Sequence, residues 1–101
     1  MNSRLEFHLI LLKLLGSNYV YFQAPASVKM QYPCIIYRRS GHNIKKANDI
    51  IYNKKTSYMV TLIDPNPDSE LNDKLLNIPL CSFERHYTAD NLNHDVYNIY
   101  Y

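Results

Sequence analysis

Leucines at positions 5, 9, 12 and 15 recur at helical spacing near the start of the chain, and Leu11 and Leu14 widen the stripe. Ser3-Arg4-Leu5-Glu6 fits a capping box, with Ser3 meeting an amide three residues on and Glu6 reaching back. Gly16 stands where a left-handed cap is needed, so the pattern predicts a helix ending near Leu15. Arg4, Glu6 and Lys13 are the residues that want water, and the helix is expected to lie flat across a sheet.

The period then changes from helical to extended. Asn18–Gln23 reads as a strand by its aromatic and β-branched content, and Ala24-Pro25-Ala26-Ser27 breaks it. Cys34–Arg39 reads as a second strand, entered through Tyr32-Pro33. Ser40-Gly41-His42-Asn43 has the composition of a turn, and the polar stretch to Asn48 shows no period. Ile50-Ile51-Tyr52 suggests a short strand and Ser57–Ile63 a longer one, ended by the prolines of Asp64-Pro65-Asn66-Pro67-Asp68. Asp68 or Ser69 can cap a short helix over about Glu70–Asn77, with Leu71, Leu75 and Leu76 on its buried face and Pro79 as its stop.

A hairpin follows, its turn at Ala89-Asp90-Asn91-Leu92. The closing Val96-Tyr97-Asn98-Ile99-Tyr100-Tyr101 is expected to form a strand, with Val96, Ile99 and Tyr101 facing differently from Tyr97 and Tyr100. One face would enter the core under Leu9 and Leu12, and the other would present tyrosines to a neighbour. The whole order predicts an α+β fold: a mostly antiparallel sheet of four to five strands, with an N-terminal helix and a second short helix packed on it. No repeat or linker divides the chain, so residues 1–101 are read as a single domain.

Composition sharpens this toward assembly. Ten tyrosines and no tryptophan suit half-buried sheet faces and half-wet contacts. Eleven basic and nine acidic residues give a net charge of +2, too balanced to argue for nucleic acid or an anionic membrane. Basic residues nevertheless gather at Arg38, Arg39, Lys45, Lys46, Lys54 and Lys55, a contact surface for a neighbouring subunit, an acidic partner or DNA. Cys34 and Cys81 each lie in apolar segments and are expected to be reduced and buried rather than catalytic. The greasy Leu9–Leu15 stretch is too short to span a bilayer and, with Lys13 inside it, is not read as a targeting segment.

Candidate chemistry is sparse. His86, His94, Asp95 and nearby Cys81 are zinc-ligating types, and the two histidines could meet across the hairpin, but no closely spaced ligand pair anchors the set. The Asp64–Ser69 run lacks the glycine and glutamate of a calcium loop and reads as a rigid corner. Two glycines in the whole chain leave no phosphate cradle. The expectation is therefore no enzyme, no catalytic or metal residue and no cofactor, with contacts carried by the basic residues together with His86, His94, Tyr97 and Tyr100.

The leading helix with Leu15-Gly16-Ser17, then Val20-Tyr-Phe-Gln23 and Tyr32-Pro-Cys-Ile-Ile-Tyr37, resembles the start of small tail-completion (tail terminator) proteins of long-tailed bacteriophages. Val60-Thr-Leu-Ile-Asp64 and Phe83-Glu-Arg-His-Tyr-Thr-Ala-Asp-Asn-Leu-Asn-His-Asp-Val-Tyr97 resemble phrases in small proteins from the structural cassettes of phages of Gram-positive bacteria. The likeness covers most of the chain. It implies a homohexameric ring at the head-proximal end of the tail, meeting the tail tube protein on one face and the head connector or head-completion protein on the other. DNA would pass through without specific binding, no membrane would be involved, and the location would be the virion, with the host cytoplasm during assembly. The chain is short for that role, so any reach toward a neighbouring ring must come from residues 24–32 or 40–56. A head-completion ring, and a small nucleic-acid-binding module using residues 38–55, are the alternatives.

Overall fold

The computed structural model describes residues 4–24, 29–47 and 50–101, and the side chains of these outside 41–55. Chain order is α1 (Arg4–Leu15), β1 (Val20–Phe22), β2 (Cys34–Ala47), β3 (Ile50–Asp64), α2 (Leu71–Leu76), β4 (Cys81–Ala89) and β5 (Leu92–Tyr100). The five strands form one sheet in the order β1-β2-β3-β5-β4. All neighbours are antiparallel except β1 and β2, which run parallel. This is the α+β architecture that the sequence predicts. No helix among the described residues is long and apolar enough to cross a membrane.

Strand periodicity divides the sheet into two faces. Ile35 and Tyr37, Tyr58, Val60 and Leu62, and Tyr97 and Ile99 share the face that meets the helices through Phe7, Leu11 and Leu75. Phe7 is the hub of this core. Its ring stacks on Tyr58 at 4.7 Å, meets Tyr37 edge-on at 5.5 Å and lies 5.3 Å from Tyr101.

The helix docks only partly on the stripe its leucines predict: Leu12, Leu14 and Leu15 pack against the core, but the centre of the contact is Phe7 and Leu11. Phe7 and Leu11 are fully buried, whereas Leu5 and Leu9 stay 65% and 63% exposed. Apolar residues stand on nearly every side of α1, so spacing alone does not choose a face. The choice falls to the side that seats the Phe7 ring and also places Arg4 and His8, one turn apart, over the rim of the sheet. Arg4, expected in water, instead lies 4.3 Å from the Phe22 ring centre. Gly16 closes the helix at φ 78°, its amide donating to the Leu12 carbonyl at 2.9 Å. An added methyl would touch nothing within 4 Å. Gly16→Ala is thus expected to cost only the left-handed backbone term, about 1–2 kcal/mol, read as a lower melting temperature with unchanged circular dichroism. Ser3, the expected cap, lies outside the described residues.

Three further expectations are corrected. Ser40–Asn43 is not a turn: β2 runs through it to Ala47, with a register shift between Arg39 and Gly41, and β3 is continuous from Ile50 to Asp64. An extra residue in one strand bends it without ending the ladder. Leu76 is 46% exposed, and only Leu75 of α2 is fully buried. Tyr97 and Ile99 share a face, with Val96 and Asn98 on the other, because β5 pairs with β3 from Asn93 to Tyr100 without a bulge. Tyr97 is therefore a core residue, 1% exposed, and not a contact offered to a neighbour.

The corner after β3, expected to be rigid, is tied by a run of side-chain to main-chain hydrogen bonds. Asp64 Oδ1 accepts from the Asn66 amide at 2.8 Å, and Asn66 Oδ1 accepts from the Asp68 amide at 3.0 Å. Ser69 Oγ then accepts from the Leu71 amide at the start of α2. The final turn is also where the sequence puts it. Asp90 and Asn91 adopt φ 53° and 62°, the left-handed pair of a two-residue hairpin.

Candidate assembly surface

The helices cover one face of the sheet, and among the described residues no helix packs on the other. Across that open face run Ile36, Thr61, Val96 and Arg85, flanked by Arg38, Met59 and Asn98 on one side and by Ile63, His94 and Tyr87 on the other. It is mixed in character. Ser40 and Ser57 lie 2.7 Å apart, and Ser57 Oγ donates to Asn98 Oδ1 at 2.9 Å. Arg38 is exposed, its guanidinium 3.3 Å from the Met59 sulfur.

Beyond Thr56 the β2–β3 hairpin leaves the sheet. Thr56 and Tyr101 exchange both main-chain bonds, at 3.3 and 3.0 Å, and past them His42–Ala47 and Ile50–Lys55 pair only with each other among the described residues. At about 3.3 Å per residue, this two-stranded arm accounts for the elongation of the molecule to 47 × 23 × 23 Å. Lys45, Lys46, Lys54 and Lys55 occupy register positions on it, and their side chains lie outside the described residues. Arg39, at its base, is exposed.

The two histidines do not converge. The two-residue turn sets Ala89 opposite Leu92, and counting back places His86 opposite Asp95 and Tyr87 opposite His94. His86 and His94 therefore emerge on opposite faces. The first donates from Nδ1 to Asp95 Oδ1 at 2.7 Å. The second donates from Nδ1 to the Leu92 carbonyl at 3.2 Å and stacks on Tyr87, centroids 4.6 Å apart. Among the described residues no three His, Cys, Asp or Glu side chains group as metal ligands. Cys34 and Cys81 also lie on opposite faces, opposite Ile63 and Ile99 respectively. Burial raises both thiols to about 11, so at neutral pH they hold their protons and are weak nucleophiles. Alkylation of the folded protein by iodoacetamide near neutral pH is expected to be slow, with Cys34 the slower, and fast after denaturation. Mass spectrometry of the two peptides reads the difference.

Sequence reasoning missed a polar cluster at the rim of the core. Arg4 Nη1 lies 3.3 Å and His8 Nδ1 lies 2.7 Å from the Tyr37 hydroxyl. Arginine can only donate, so the hydroxyl accepts from Arg4; toward His8 it donates or accepts according to which ring nitrogen carries the proton. Burial, and next the Arg4 charge, hold the His8 pKa below its ordinary 6.5, and burial raises that of Tyr37. The unfolded chain then binds the proton more readily than the folded one. The His8 contribution is constant above pH 6.5 and is lost as the pH falls below it. A drop in urea midpoint on crossing that pH, reduced in His8→Gln, is the expected result. Arg4 and His8 at helical spacing beside Phe7 was the available signal.

Near the ends of β5 and α2 a groove of about 410 Å³ is lined by Ile10, Ile78, Pro79, Leu80, Tyr100 and Tyr101, with Lys74 and Asn77. Tyr100, expected to meet a neighbour, is half-buried there. Together with the exposed Leu5 and Leu9, it gives the helix layer an apolar exterior.

These features define a two-layer α+β domain with an open sheet face, an apolar helix exterior and a projecting two-stranded arm. Comparisons with protein-family models, curated proteins and solved structures return no match.

Proposed function

We propose that this protein is a structural subunit of the head–tail interface of a long-tailed bacteriophage, a tail terminator that closes into a ring, most simply of six copies, and docks to the head connector. The observation that carries the reading is the arm. On this reading the β2–β3 arm, within residues 40–56, is the extension available for reaching a neighbouring ring. The phrases resembling tail-completion proteins supply the setting, and the open face and the apolar helix exterior supply contact area. Negative-stain imaging of the purified protein, and of tails made with and without it, tests the proposal. Capped tails of defined length that carry a ring of this protein support it; a single copy per particle, or a ring found on heads and absent from tails, overturns it.

A nucleic-acid-binding module is the second reading, favoured by exposed Arg38 and Arg39 at the base of an arm with four further lysines in its sequence. Tight DNA binding that falls steeply with salt would favour it over the ring.

A further inference from the structure

We infer that copies of this chain join edge to edge, the Arg85–Ala89 run of one copy pairing antiparallel with the Gly41–Lys45 run of the next. The inference rests on the ring reading and supplies its joint. A strand at a sheet edge carries a row of unpaired main-chain donors and acceptors, which natural edges blunt with prolines, lysines and bulges. On β4, every residue after Cys81 is exposed, and there is neither proline nor lysine. Its register shift falls between Phe83 and Arg85, so the strand is regular from Arg85 to the turn. On the opposite side, β1 covers β2 only from Ile35 to Tyr37, and the Gln23 amide closes that contact on the Tyr37 carbonyl at 2.9 Å. Beyond it the outer edge of β2 pairs with no strand among the described residues, and Gly41–Lys45 is regular between two register shifts.

The two runs match in length and in the main-chain groups they turn outward. Residues flanking a two-residue hairpin turn bond to each other, and bonded and non-bonded pairs then alternate. Arg85, Tyr87 and Ala89 thus bond inward to β5, and His86 and Thr88 turn outward. On the other edge Thr56 spends its main-chain groups on Tyr101, so His42 opposite it is not bonded to Thr56. His42 and Ile44 turn outward. Each run offers two outward residues at the same spacing.

Direction agrees as well. Through the antiparallel pairs β2–β3, β3–β5 and β5–β4, β4 runs opposite to β2. A copy that continues the sheet therefore brings its β4 antiparallel to β2. Because the two edges differ, the contact is head-to-tail rather than two-fold, the kind that closes as a ring when the rotation between copies divides a full turn.

Thr88→Pro removes one outward amide and leaves the bonds to β5 in place, which an edge strand tolerates; Thr88→Val keeps the amide and serves as control. The expected result is a folded Thr88→Pro monomer beside wild-type and Thr88→Val oligomers, by light scattering and circular dichroism. An oligomer of wild-type size in Thr88→Pro overturns the pairing and leaves the ring standing. A wild-type chain that is monomeric overturns both. If Thr88→Pro unfolds, disulfide trapping decides: Thr88→Cys mixed with His42→Cys should cross-link on oxidation, beyond either variant alone. A mixture that does not cross-link, or a closed dimer joined through β4 alone, overturns the assignment of the partner edge.

Discussion

Phe7→Ala is expected to be among the most destabilising single changes in the chain, removing a large share of its stability and leaving a marginally folded protein. The Phe7 ring is fully buried and contacts Tyr37, Tyr58 and Tyr101, so its removal opens a cavity among three large rings that cannot all collapse into it. Such truncations cost about 3–5 kcal/mol, against a total of about 5–15 kcal/mol for an ordinary domain. Leu5→Ala and Leu9→Ala form the contrast. Both sit on the exposed side of the same helix and should shift stability by no more than about 0.5 kcal/mol. Urea titrations followed by circular dichroism compare the three. A large loss at Leu9 with a small one at Phe7 would mean that the helix docks on its Leu5 and Leu9 side after all.

Deleting Val96–Tyr101 should abolish the fold altogether. β5 lies between β3 and β4, and Val96, Tyr97 and Ile99 are buried. Each such side chain contributes about 1.5–3 kcal/mol through burial, and their loss also strips β4 of much of its partner. Tyr97 further ties the sheet to α2 by donating its hydroxyl proton to Asn72 Oδ1. The truncated chain is expected to be insoluble or to lack a folded circular dichroism spectrum; a soluble, cooperatively melting product would contradict the strand pairing. Tyr97→Phe, which keeps the ring and loses the bond, should cost only about 1 kcal/mol.

How much of this could be read from the sequence depended on whether local chemistry had one answer. Asp90-Asn91 tolerates left-handed backbone and lies between two apolar runs, so the turn was legible, and with it the whole register of the last hairpin. The separation of His86 from His94 was implicit in that turn, since a step of one residue changes face. Gly16 and the Asp64–Asp68 corner were legible for the same reason. The docking side of α1 was not, because Leu5 and Leu9 satisfy the helical period as well as Phe7 and Leu11 do. What decides is the shape of a pocket made by tyrosines far along the chain.

The β2–β3 arm was hidden for a different reason. Among the described residues its strands pair only with each other beyond Thr56, and the sequence there carries no regular apolar alternation. Polar residues and Gly41 then look like a turn. The candidate contact residues divide along the same line. Arg38, Arg39 and His86 are at the surface, His94 and Tyr100 are half-buried, and Tyr97 is consumed by the core.

The strand order also has a consequence for how the chain is made. Sheet neighbours β3 and β5 are separated in sequence by α2 and β4, so a chain emerging from the ribosome exposes Val60 and Leu62 on β3 while one of that strand's two neighbours is still unmade. The β2–β3 hairpin can form early, since its pairing is local, but β4 has no strand to join until Leu92–Tyr100 appears and slots between them. Completion of the sheet thus waits until Leu92–Tyr100 has been made. During that interval crowded nascent chains on one message are most exposed to pairing with each other, and holdase chaperones would have their window of action.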